Sequence, residues 1–432
     1  MRRWLAFSIG MVDATQRAIM LRVGFVLAAL LAGCVGSDDS TCTTDNPEYP
    51  DCLPDDDGGK ADSANAGLAQ MNDLTVVYPL AKSSAELAAM VPATNLLPKA
   101  LYTAQFPDPS GPTPIGSDTR MSYDKLRLVA IRFDPCFAQV GPITPTTQCD
   151  NQIRLVFQSL SADGSSAIDG AVHVFYRVTR TELVAAIKEM IALRKANGQT
   201  TAMGALKPHP LLVKQGLDGQ FGKDLAKLVA KYATPAKLIR FTHFQSSNLQ
   251  TVWNFSGFDV TGTSTTKPMV IPTLPNSSTT VGFFEGFSKP MKGGFTPESM
   301  HADSVTILAN VDKAKAASAT ARKKAYNGAL RIENPNFHSP NTIDCASCHV
   351  GQAARLLIGD DVLHMTAVGN PNLFQRDPKF VSATSMKQTT SVRDQPLNVH
   401  MLSYRNDELM IGQRVINETA GVVAYVNGVL LH

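Results

Sequence analysis

The chain has 432 residues, of which 44% are hydrophobic and 18% charged, a balance that excludes a wholly disordered or fibrous polypeptide and leaves room for two or three domains. Lys and Arg number 40 against 37 Asp and Glu, which excludes a nucleic-acid binder working through a broad basic face. The seven cysteines are unevenly placed, and their positions carry most of the functional information.

The first element in chain order is an apolar run, Val23 to Ala32, which contains Phe25, Val26, Leu27, Leu30 and Leu31 and follows Arg22. At about ten residues it is too short to span a bilayer and has the length of a signal-peptide core. It ends in Leu31-Ala32-Gly33-Cys34, a tetrapeptide that resembles the lipobox of bacterial lipoproteins. The resemblance implies a signal peptide over residues 1–34, ending at Cys34 as the lipidated anchor. Asp13 and Gln16 do not suit such a signal, so Met20, followed by Leu21-Arg22, competes with Met1 as the start. Val35 stands where an Asp would often retain a lipoprotein in the inner membrane, so the resemblance further implies an exported protein tethered in the outer membrane, facing periplasm or cell surface.

Residues 35–67 hold Asp55-Asp56-Asp57-Gly58-Gly59 and almost no large apolar side chain. Such a segment cannot offset the entropy of ordering and is expected to be an acidic flexible tether. Cys42 and Cys52 within it are spaced to close a small loop in an oxidising compartment.

Residues 68–294 alternate strand and helix patterns and are expected to form an α+β domain. Ile153, Leu155 and Phe157 alternate with Arg154, Val156 and Gln158, the period of a half-buried strand, and Val172, Val174, Tyr176 and Val178 repeat it. Ile239 with Phe241, and Trp253 with Phe255, extend the pattern. Between Leu126 and Phe133 the apolar phase slips, which predicts a bulge or burial on both faces. Thr179 and Glu182 form a capping box for a helix whose Leu183, Ile187, Met190 and Ile191 share a face and whose stop is Asn197-Gly198. A second helix is expected from Lys223 to Tyr232, ended by Pro235. Cys136 and Cys149 flank a loop between strands, and export makes a disulfide there the expectation, worth about 3 kcal/mol. His173, His209 and His243 are expected to be packed or surface side chains, and no phosphate loop, nucleophile elbow or paired metal histidines appear.

The chemistry is concentrated in Cys345-Ala346-Ser347-Cys348-His349. A random chain of this composition would carry about 0.002 matches to Cys-x-x-Cys-His. Cysteines three apart lie on one side of a helical turn, so their sulfurs can bond the two vinyl groups on one edge of a haem. His349, four after Cys345, then offers a ring nitrogen to iron. A redox dithiol gains nothing from the histidine, and a zinc site needs a fourth ligand that the motif lacks.

With this motif at its centre, the segment 295–432 resembles a monohaem cytochrome c domain: a polar helix from Ala314 to Leu330, the haem motif, an irregular stretch, and a last helix with Val415, Thr419, Val422 and Val426 on one face and Gly428 as its C-cap. The resemblance implies one covalent haem c held by Cys345, Cys348 and His349, and a contact between Gly328 and Tyr425. For the sixth ligand His400 is the first candidate, then Met401 and Met386, or no ligand at all. Arg355, Arg376 and Lys379 are candidates to neutralise the haem propionates. The expected architecture is therefore α+β, an N-terminal mixed domain with antiparallel-type strands followed by a mainly α-helical, cytochrome c-like haem domain. The expected function is one-electron transfer between redox protein partners at a membrane. A haem enzyme or gas or redox sensor with an open sixth position, and a structural surface lipoprotein, are the alternatives.

Overall fold

The computed structural model describes residues 67–106, 121–135, 150–246, 252–269, 281–284, 303–339, 342–343, 345–387 and 400–432. All belong to one compact unit, Glu48–His432. Cys34, Cys42, Cys52, Cys136 and Cys149, the start at Met1 or Met20, and the expected domain boundaries at 34 and 294 lie outside the described residues.

The chain is α+β. Its centre is an eight-stranded sheet, antiparallel throughout, of β1 (Thr75–Val77), β2 (Leu126–Asp134), β3 (Gln152–Ser159), β4 (Gly170–Arg177), β5 (Leu238–Ser246), β6 (Val252–Val260), β7 (Thr266–Pro268) and β8 (Val281–Phe284). The strands run in sequence order from β1 to β7, and β8 also pairs β6. The phase slip in β2 is a register shift between Leu128 and Ala130. Both sides of that strand are buried, so its apolar residues do not follow one period.

Helices α1 (Met71–Leu74), α2 (Ser84–Ala89) and α3 (Lys99–Gln105) precede β2. Between β4 and β5 come α4 (Arg180–Ala196), α5 (Pro210–Gln215) and α6 (Gln220–Tyr232). Thr179 caps α4 through the expected box, accepting from the Glu182 N–H at 3.2 Å while Glu182 accepts from the Thr179 N–H at 2.8 Å. Gly198 follows the helix at a φ of 81°, a conformation that suits glycine. His209 is buried, caps α5 by accepting from the Leu211 N–H at 3.2 Å, and stacks on Phe221. His243 is buried with its ring on Phe106, centroids 3.9 Å apart. Burial pushes both imidazoles down to about 3, so each is neutral core at physiological pH.

The C-terminal segment holds α7 (Val311–Ala316), α8 (Ala319–Glu333), α9 (Cys345–Ala354), the hairpin β9 (Leu402–Arg405) and β10 (Glu408–Ile411), and α10 (Gln413–Tyr425). The expected polar helix is thus two, because Ser318 caps a new one by accepting from the Ala321 N–H. Gly328 meets the Asp303 backbone, 3.1 Å from where its Cβ would stand, rather than the expected Tyr425. Gly428 lies within a wider-turned continuation of α10, Val426–Leu430, and is not the cap.

Strand register sorts the sheet into two faces. One carries Leu155, Val174 and Phe241 side by side and packs against Phe106. The other carries Arg132, Arg154, Phe175 and Arg240 in a row, and this is the face the C-terminal segment covers. Thr75 of β1 hydrogen-bonds Thr419 of α10 at 2.8 Å, and Gln158 of β3 exchanges two bonds with the Tyr404 backbone in β9. A single hydrophobic cluster includes residues from both sides of the sheet. The strands expected to be half-buried are therefore buried on both faces.

Candidate functional site

Helix α9 is amphipathic in an unusual sense. Ala346, Val350, Ala353 and Ala354 are buried in the core, whereas Cys345, Cys348 and His349 are its half-buried positions. The 3.6-residue period puts those three on one side. Gly351 lets α9 approach α8, since a Cβ there would stand 3.2 Å from Ile332. The N-terminus of α10 is fixed to α9 by the Gln413 N–H, which donates to Gln352 Oε1 at 2.7 Å. Helix α10 in turn holds the end of α8, where Arg414 donates to the Ile332 carbonyl at 3.0 Å and Asn417 to that of Glu333 at 2.9 Å. These side chains satisfy carbonyls that a helix end leaves free.

Cys345, Cys348 and His349 open on a cavity of about 760 Å³, counting the solvent at its mouth, between α9, α10 and the polar face of the sheet. Phe175, Ile343, Met269, Met401, Leu402 and Val415 supply apolar wall. Arg132, Arg154, Arg240 and Arg414 supply guanidinium groups, and His173 of β4 supplies a second imidazole. Neither cysteine is in a disulfide among the described residues. The His349 ring packs on Phe244 and Phe255, with centroids 5.4 and 5.0 Å away. Among the described residues no three His, Cys, Asp or Glu side chains converge closely enough to cage a bare ion. The thiols and imidazoles instead border the cavity.

Charge in this wall is buried and unbalanced. Glu418 of α10 lies 3.0 Å from Arg132 and 3.8 Å from both Arg154 and Arg414, while Asp134 lies 2.7 Å from Arg154 and 3.5 Å from Arg132. Burial would push the Glu418 carboxyl up, but the Arg132, Arg414 and Arg154 guanidiniums hold it well below the usual carboxylate range. Among the described residues three guanidiniums thus face two carboxylates, and Arg132 Nε is buried without a hydrogen-bond partner. Arg240 pairs with Asp259 at 2.7 Å. A wall with surplus buried positive charge fits a ligand that brings carboxylates. Burial, then the neighbouring Arg154, His349 and Arg132, pushes the His173 imidazole well below its ordinary range and keeps it neutral.

The other candidates from the sequence are elsewhere. His400 is buried off the cavity wall, its Nε2 2.7 Å from Asp169 and its ring edge-on to Phe244. Met401 is on the wall; Met386 packs against the core away from it. Arg355 is buried against Glu333 and Asp360 at 2.8 and 2.9 Å, Arg376 donates to the Val381 carbonyl, and Lys379 is exposed, so none of the three reaches the cavity. The sequence reading missed His173 and the four arginines. For His173, Arg132, Arg154 and Arg240 a signal was present as polar residues in the strand phase opposite the apolar one, whereas Arg414 is on a helix.

No protein-family model, curated protein or solved structure matches this chain.

Proposed function

We propose that this chain carries one haem c, bonded to Cys345 and Cys348 with His349 as the proximal ligand, and serves as a membrane-tethered one-electron carrier. The observation that carries this reading is the position of the Cys-x-x-Cys-His turn, which brings two cysteines and an imidazole to a cavity walled by apolar side chains and arginines. Haem is a flat apolar group with two carboxylates, and both kinds of wall have a use for it. Bound there, it supplies a one-electron couple. Arg132, whose Nε has no hydrogen-bond partner among the described residues, and Arg240 are suited to its propionates. Phe244 and Phe255 orient the His349 ring. Phe175 and Val415 give the cavity apolar wall, and the buried Glu418 carboxylate holds the arginines in place.

On this reading the mainly helical segment is the haem-bearing, cytochrome c-like half, and the sheet closes the pocket that a small cytochrome would close by itself. Export, with Cys34 as the lipid anchor, brings the apoprotein to a compartment where haem attachment takes place. Redox proteins are the partners.

Pyridine haemochrome spectra and intact mass of the protein, expressed with its signal and a cytochrome c maturation system, test the reading. One covalent haem per chain is expected, and Cys348→Ala should lose one thioether and weaken retention. A colourless wild type with the mass of polypeptide and lipid alone would refute it. Ready carbon monoxide binding by the reduced protein would instead move the function to a haem enzyme or sensor.

A further inference from the structure

We infer that His173 of the sheet is the second axial ligand, meeting the iron from the side opposite His349; this rests on the haem reading above. His173 stands on β4 beside Thr242 of β5, in the phase that faces the cavity, and lines it together with the Cys-x-x-Cys-His turn. It and His349 are the two imidazoles on that wall among the described residues. His173 is half-buried, on a strand whose partners on both sides hold it in place at that wall. An imidazole presented at the wall of such a cavity is suited to a metal.

The competing side chains are engaged. His400 Nε2 is held by Asp169 at 2.7 Å. The Met401 sulfur fills the notch over Gly412, 2.5 Å from where a Cβ on that glycine would stand. The assignment also gives the polar face of the sheet a purpose beyond closing the pocket: a ligand on a strand bonded to neighbours on both sides is held more rigidly than one on a loop. Two imidazoles close the coordination sphere, which suits electron transfer and a potential below that of a His/Met site.

The test is optical and paramagnetic-resonance spectroscopy of purified holoprotein, with haem content measured in parallel by pyridine haemochrome. Wild type should be low-spin and refuse carbon monoxide when reduced. His173→Ala should retain covalent haem, become high-spin, bind carbon monoxide, and return to low spin on addition of free imidazole. His173→Met keeps a ligand in place and covers the case in which the alanine variant fails to accumulate; it should gain the near-infrared charge-transfer band of a sulfur ligand and a higher potential. A haem-bearing His173 variant with the wild-type spectrum overturns this assignment and leaves the haem reading intact; a wild type that takes up carbon monoxide overturns the assignment and, with the covalent haem retained, moves the function from carrier to haem enzyme or sensor. A wild type without haem overturns both.

Discussion

Glu418 of the last helix and Arg132 of the second strand lie 286 residues apart in sequence and 3.0 Å apart in space, with both side chains buried. The pair ties the helical segment to the sheet at the cavity wall. Arg154 and Arg414, each 3.8 Å from the same carboxylate, make Glu418 the common counter-charge of three guanidiniums. Replacing it with Gln keeps the shape and removes the charge, leaving buried cations without their partner. Breaking such a cluster from one side costs about 3–5 kcal/mol. Urea unfolding of Glu418→Gln at pH 7 should show a loss of this size, with an unchanged slope if the folded state is retained. A loss under 1 kcal/mol would mean that the arginines are solvated or otherwise compensated.

A second buried cluster sets a pH dependence. Asp303 lies 2.7 Å from His338 and also pairs with Arg331. Burial alone would raise its carboxyl, but the hydrogen bonds and charges of His338 and Arg331 hold it at about 2, below its ordinary 3.8. A carboxylate depressed on folding stabilises the fold above its unfolded value and stops doing so as pH falls through its folded value. Asp303→Asn should therefore be less stable than wild type at pH 7, and the gap should close between pH 4 and pH 2. Urea midpoints of both proteins across that range check it. A gap that is constant with pH would assign the loss to packing.

Much of the fold was legible because its signals are local. The Thr179–Glu182 box, the slip at Leu128 and Ala130 and the Cys-x-x-Cys-His turn each lie within a few residues of chain, and each has the expected form in the structure. What covers the second face of the sheet was not legible. Arg154 and His173 occupy the polar phase of their strands, and one strand cannot distinguish water from a helix more than 170 residues later. Periodicity reports that two faces differ, not what packs against each. The same limit explains the propionate candidates: Arg355 lies near the motif in sequence but is neutralised by Glu333 and Asp360, whereas three of the four cavity arginines come from strands.

Gly359 supplies a packing test away from the cavity. A Cβ at this position would stand 2.7 Å from the ring of Tyr326, which is itself fixed by a 2.6 Å bond from its hydroxyl to Asp360. A pinned ring cannot yield as the end of a flexible side chain can. Gly359→Ala should cost about 1–3 kcal/mol as overpacking, read as a lower urea midpoint. The double variant with Tyr326→Leu should recover part of it, because the smaller side chain relieves the clash; equal losses in both backgrounds would rule out the Tyr326 contact as the cause.

The arginines also bear on the proposed redox function. An electron added in the cavity is stabilised by positive charge on its wall, and a unit charge acting across ~10 Å at an effective permittivity of ~20 is worth roughly 1–2 kcal/mol. Arg240 lines the cavity and pairs with Asp259 at 2.7 Å. Arg240→Gln removes its charge and leaves that of Asp259 unopposed. Both changes disfavour reduction, so the midpoint potential should fall by roughly several tens of millivolts at unchanged haem content. Lys379 is exposed and off the cavity wall, so Lys379→Gln should give a much smaller shift that vanishes at high salt, where surface charges are screened. Redox titrations at low and high ionic strength separate the two cases. An Arg240→Gln potential at or above that of wild type would mean that the charge around Arg240 is compensated elsewhere and that the wall does not tune the couple.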